Sequence, residues 1–208
     1  MNRDNLKVYL VTDSHSLNGR DFFDVVEEAV KSGVTMVQLR EKELNSADFL
    51  KKANKLKKIT DKYNVPLIIN DRVDIAFDCR AAGLHIGQKD ISVRDGRRIM
   101  RRDRGQILGV TANTPELAVE AEKMGADYIG AGAVFQTSTK HNAEIISIET
   151  LSKITSSVSI PVVAIGGITA ENACMLKGTG IAGVAVSSGI MNAYDIKGVV
   201  KTLKELVF

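Results

Sequence analysis

TMVQLREKELNSADFLKKANKLKKITDKYNVPLIIN, residues 35–70, holds one complete unit of the fold. TMVQLR (35–40) and PLIIN (66–70) are short, largely apolar runs, and between them Phe49, Ala53, Leu56 and Ile59 recur at helical spacing. A short run with almost no polar interruption is the pattern of a strand covered on both faces, as in a parallel sheet. The stretch predicts strand, helix, strand.

The same alternation extends in both directions. VYLVT (8–12) precedes this unit, and GLHIG (83–87), ILGVT (107–111), YIGAGA (128–133), PVVAIG (161–166) and GVAVSS (183–188) follow it, eight strand candidates in all. Segments of helical periodicity separate them, such as Phe22/Val26/Ala29/Val30 and Leu117/Ala118/Ala121/Met124, and several stop on a glycine, as at Gly33 and Gly125. Eight alternations without a linker predict an α/β fold, a (β/α)8 TIM barrel occupying residues 1–208 as a single catalytic domain. An open, doubly wound sheet is the structural alternative.

Composition narrows the function classes. Apolar residues make up 44% and charged residues 25%, the balance of an ordinary globular protein. No apolar run has the length to cross a bilayer, and MNRDNLKVYLVTD lacks a secretory apolar region, so no membrane partner and a cytoplasmic location are expected. Cys79 and Cys174 stand far apart and outside any CxxC or Cys/His cluster, which suits a reducing compartment. The net charge of +3 does not call for nucleic acid. The basic stretches Lys51–Lys62 and Arg94–Arg104 carry Leu56, Ile59 and Ile99 at helical spacing, the pattern of a solvated helix face.

In such a barrel the carboxyl ends of the strands and the loops after them form the active site. Those positions here are rich in groups for anions and metals. Gln38 and Arg40 alternate with Leu39, so both can enter the barrel mouth while Leu39 packs outward, and Lys42 extends the positive rim. Asp71 follows strand 3 and Asp90 follows strand 4, and two carboxylates on adjacent strand ends can converge on one Mg²⁺. The alternative is that each acid caps the helix after it. His85, inside strand 4, reads as a barrel-interior histidine. Thr111 ends strand 5, and the loop after strand 6 offers Thr137, Ser138, Thr139 and Lys140 as a cradle for anionic oxygens. Gly166-Gly167 and Ser187-Ser188 end strands 7 and 8, where barrels frequently hold a phosphate on backbone N–H groups. Two anion sites on one mouth suggest two phosphorylated substrates, or one bisphosphate.

Taken together and in order, QLREK (38–42), NDRVDIA (70–76), GLHIGQKD (83–90), GADYIGAGAVFQTSTK (125–140) and AIGGIT (164–169) resemble the thiamine phosphate synthase family over nearly the whole chain. The resemblance implies that 4-amino-5-hydroxymethyl-2-methylpyrimidine diphosphate loses pyrophosphate and the ring nitrogen of a thiazole phosphate attacks the exposed methylene. Carried over by position, Gln38, Arg40, Glu41, Lys42, Asn70, Thr111 and Lys140 would line the pyrimidine diphosphate site, with Arg40, Lys42, Thr111 and Lys140 acting on the reaction. Asp71 and Asp90 would carry Mg²⁺. Thr137, Ser138, Thr139, Gly166, Gly167, Ser187 and Ser188 would hold the thiazole phosphate.

Three positions depart from the family pattern: Thr111 where serine is usual, Gln136 where proline is common, and Asn113 where histidine is frequent. The last bears on the nearest rival, a thiazole tautomerase, which needs a proton shuttle that an amide does not provide near neutral pH. A non-catalytic phosphate-binding barrel and a phosphosugar isomerase are the other readings. The first has no need of Asp71 or Lys140, and the second needs an acid–base pair that is not evident here.

Overall fold

The computed structural model describes residues 1–15, 17–137 and 144–207, in which eight parallel strands close into a barrel in chain order. They are β1 (Val8–Val11), β2 (Met36–Leu39), β3 (Leu67–Asn70), β4 (Gly83–Ile86), β5 (Ile107–Thr111), β6 (Tyr128–Ala131), β7 (Val162–Ile165) and β8 (Gly183–Val186). Tyr9 of β1 registers with Met36 of β2 on one side and with Ala185 of β8 on the other. That second pairing closes the cylinder and excludes the open sheet.

Each strand alternates between two cores. Residues such as Val8, Leu10, Val37 and Leu39 belong to the outer core shared with the helices. Tyr9, Met36, Ile68, Tyr128, Val163 and Ala185 fill the barrel interior. Both strand faces are therefore buried, which is why the sequence runs read as continuously apolar.

The helices are α1 (Phe22–Lys31), α2 (Ser46–Lys62), α3 (Val73–Asp78), α4 (Val93–Ile99), α5 (Pro115–Lys123), α6 (Ile148–Ser157), α7 (Ser188–Met191) and α8 (Ile196–Val207). Their starts are set by side-chain caps that satisfy otherwise unpaired N–H groups: Asp21 for α1, Asn45 for α2, Ser92 for α4, Thr114 for α5 and Ser147 for α6. No helix among the described residues is long and apolar enough to cross a membrane.

Two expectations change. The connection between β7 and β8 carries only a 3-10 turn, Ala173–Leu176, where a full helix was expected. Gly178 and Gly180, at φ +83° and +82°, turn the chain before a helix can propagate. The basic stretches are also not wholly solvated. Arg97 reaches Asp127 at 2.6 Å and the Gln106 carbonyl at 2.8 Å, and Lys52 of α2 is largely buried in an ion pair described below.

Candidate active site

All eight strand ends open on one rim, so the barrel brings those of the predicted residues that are described to one end of the molecule. The predicted strand runs overshoot the hydrogen-bonded ladders by a residue or two. Arg40, Gly87, Gly166, Ser187 and Ser188 thus lie just past strands, where the chain turns into the mouth.

At the ends of β3 and β4, the Asp71 and Asp90 carboxyl groups hydrogen-bond to each other, and the Lys42 ammonium binds Asp71. Burial raises the Asp71 pKa, but Lys42 and the bond from Asp90 outweigh it and hold the group below its ordinary value. Asp90 is pushed up, by burial and by its proximity to Asp71.

Neither acid is a helix cap. Ser92 caps α4, and α3 starts after Arg72 without a side-chain cap. Asp90 instead accepts the Gly87 N–H at 2.7 Å, and Asp71 takes φ +61°, with its own N–H donating to the His85 carbonyl at 2.8 Å. That left-handed backbone is one that aspartate tolerates better than most residues. Among the described residues no group of three His, Cys, Asp or Glu side chains could hold a metal. Two oxygen donors on adjacent strand ends, with an ammonium beside one of them, fit a hard dication that draws its other ligands from water and phosphate.

Gln38 and Asn70 are buried at the inner face of β2 and β3. The Gln38 Nε2 donates to the Tyr9 hydroxyl at 2.6 Å, and that hydroxyl lies 2.9 Å from the Tyr128 hydroxyl. Tyr128 is 2.9 Å from His85 Nδ1, and His85 Nε2 is 3.0 Å from the Thr111 hydroxyl. Burial pushes the His85 pKa down to about 4, against a smaller opposing pull from Asp71. His85 is thus the interior histidine the sequence suggested. Tyr9 and Tyr128 were missed, because tyrosine in an apolar strand reads as filler.

Arg40 and Lys42 share the β2 loop with Glu41, but Glu41 is otherwise engaged. Its carboxylate is 2.6 Å from Lys52 Nζ and accepts from Ser14 at 2.6 Å, with the carboxylate side chain only 8% exposed. Lys52 also lies 3.8 Å from the centre of the Phe22 ring. This pair anchors the β2 loop to α1 and α2.

On the far side, Phe135 N–H donates to the Gly166 carbonyl at 3.1 Å, so the β6 loop runs against the end of β7. A Cβ on Gly167, at φ +66°, would lie 2.3 Å from the Gln136 carbonyl oxygen, and only glycine permits this approach. The Ser187 hydroxyl, next to the start of α7, is buried and has no hydrogen-bond partner among the described residues. Thr137 is half-buried, while Ser138, Thr139 and Lys140 lie outside the described residues. Asn113 Oδ1 accepts the Gly132 N–H at 3.1 Å, which gives that amide a holding role at the end of β6.

Known proteins share the sequence family and the fold. A family model described as thiamine monophosphate synthase matches residues 8–190. A thiamine-phosphate synthase of Ruminiclostridium cellulolyticum is 54% identical over 199 residues, covering 96% of this chain and 94% of that protein. A Clostridium acetobutylicum protein of the same name is 50% identical over 201 residues, covering 97% and 94%. A thiamine phosphate pyrophosphorylase structure from Pyrococcus furiosus superposes with a TM-score of 0.88 at 36% identity, covering 99% of this chain and 96% of that one. The closed barrel and these likenesses converge, and the chain belongs to the thiamine monophosphate synthase family.

Proposed function

We propose that the chain is a thiamine-phosphate synthase, a transferase that joins 4-amino-5-hydroxymethyl-2-methylpyrimidine diphosphate to a thiazole phosphate with release of pyrophosphate. The observation that carries the reading is the Asp71–Asp90 pair with Lys42 upon it, on the same rim as the Ser187 hydroxyl, which has no partner among the described residues. One part suits a diphosphate with its metal, the other a second phosphate.

The bond from the pyrimidine methylene to the diphosphate oxygen breaks, and its electron pair leaves with pyrophosphate. The electron-rich aminopyrimidine supports the cation, and the thiazole nitrogen then forms the new C–N bond. No protein nucleophile is required. Arg40, Lys42 and Lys140 balance the charge growing on the departing pyrophosphate, and Thr111 adds a hydroxyl contact. Gln38 and Asn70 hold the pyrimidine, while Thr137, Ser138, Thr139, Gly166, Gly167, Ser187 and Ser188 hold the thiazole phosphate in line. Asp71 and Asp90 would hold Mg²⁺, which when bound supplies further positive charge to the leaving group. Glu41, with its carboxylate on Lys52, supports the loop from behind.

Residues 1–208 act as one catalytic domain on small-molecule substrates. A reducing cytoplasm suits its two free cysteines, Cys79 and Cys174. The tautomerase reading is disfavoured by Asn113, whose amide supports the backbone and offers no proton shuttle. The purified protein, given both substrates and Mg²⁺, should yield thiamine phosphate and pyrophosphate in equal amounts, followed by chromatography and a phosphate assay. A folded protein that forms neither product rejects the reading.

A further inference from the structure

The hydrogen-bonded chain from Gln38 to Thr111 crosses the barrel interior, and its direction follows from its Gln38 end. An amide nitrogen only donates, so the Tyr9 oxygen accepts from Gln38 and its one proton goes on to Tyr128. The Tyr128 proton cannot return along the same line, so it goes to His85 Nδ1. An imidazole that accepts at Nδ1 carries its proton on Nε2, and it donates that proton to the Thr111 oxygen. The Thr111 hydroxyl hydrogen is then left over at the end of β5, on the rim.

The barrel is shaped to admit this chain. A Cβ on Gly109 would lie 2.0 Å from Tyr128 Cζ and 2.2 Å from its hydroxyl, and one on Gly130 would come within 3.1 Å of His85 Cε1. Gly109 registers with both His85 and Tyr128 across the neighbouring strands. The Tyr9 and Tyr128 rings meet edge to face at 5.9 Å between centres, in an interior cluster whose other members, Met36, Ile68 and Val163 among them, are apolar. Two phenol groups and an imidazole buried in an apolar layer are costly unless every polar atom is paired. An all-apolar filling would serve stability alone.

We propose that Tyr9, Tyr128 and His85 form a one-directional hydrogen-bond relay that fixes the Gln38 amide and turns the Thr111 hydroxyl hydrogen outward, making all three positioning residues for the pyrimidine diphosphate. The inference rests on the functional reading of Gln38 and Thr111 given above. The relay holds one end of the substrate site in register with the other, across the full width of the barrel. Its polarity makes Thr111 a donor to an anionic oxygen.

Two measurements test it. In ¹⁵N NMR of the folded protein, His85 should carry its proton on Nε2. Gln38→Glu, whose carboxylate only accepts, should reverse the chain and move that proton to Nδ1. A wild-type His85 protonated at Nδ1, or a tautomer unmoved in Gln38→Glu, overturns the relay. In steady-state kinetics, Tyr128→Phe should lower kcat/KM for the pyrimidine diphosphate at least tenfold and leave KM for the thiazole phosphate unchanged. Val163→Ala, in the same interior cluster but outside the relay, should lose stability with kcat/KM kept. Equal kinetic losses in the two variants overturn the positioning role. A wild-type protein that makes no thiamine phosphate removes the functional reading and with it the positioning role, while the tautomer still decides whether the relay exists.

Discussion

Asp71 and Asp90 share a hydrogen bond across the ends of β3 and β4, with Lys42 on Asp71. Two acids held this close are unfavourable unless a proton or a cation lies between them. Asp71→Asn removes a charge from the pair while preserving its shape. Turnover should fall by about 100-fold or more, the scale of losing an electrostatic contact to a developing charge. Stability in urea should change by no more than about 1 kcal/mol, since the Lys42 pair is partly exposed. An unchanged rate contradicts the assignment.

Metal removal tests the same pair from the other side. EDTA should stop thiamine phosphate formation, and excess Mg²⁺ should restore it. Turnover that continues in EDTA removes the metal role of Asp71 and Asp90.

Glu41 and Lys52 form a buried pair, so breaking it leaves an uncompensated charge. Glu41→Met should destabilise the protein by about 3 kcal/mol in urea unfolding, and the double variant Glu41→Met/Lys52→Met should recover most of that loss. A Glu41→Met protein of normal stability but raised KM for the pyrimidine diphosphate would instead make Glu41 a direct ligand.

His85 gives a pH signature. Its pKa is about 4 in the folded barrel against an ordinary 6.5, so below 6.5 the unfolded chain takes up a proton that the folded one refuses. Its stabilising contribution is complete above pH 6.5 and is lost as the pH falls from 6.5 to 4, by about 3 kcal/mol. Urea unfolding at a series of pH values should show this slope in the wild type and lose it in His85→Gln. Parallel curves would place His85 in contact with water.

Much of this was legible in the sequence because a closed parallel barrel converts order along the chain into position on a rim. Asp71, Asp90 and Lys42 are separated by up to 48 positions in number, yet the end of a strand is enough to bring each to the mouth. The β7–β8 connection was less legible, since GTGIAG (178–183) ends helical order through glycine conformations that a periodicity count does not weigh. Glu41 is placed in the substrate site by its position within QLREK, and the sequence does not show that its carboxylate also holds the loop. Its partner Lys52 is brought to it only when α2 folds back over β2, a tertiary fact with no local mark. Tyr9 and Tyr128 were invisible for the same reason: Tyr128 is marked out by the absence of a side chain at Gly109, and Tyr9 by its bonds to Gln38 and Tyr128, all on other strands.

That vacancy at Gly109 also constrains how the barrel can change over generations. A methyl group there collides with the Tyr128 ring itself, which has no room to swing aside inside a closed cylinder. Substitutions at the two positions should be strongly epistatic: Gly109→Ala damaging alone and tolerated once residue 128 is small. Any descendant lineage that enlarges residue 109 must first give up the tyrosine, and the order of the two steps cannot be exchanged.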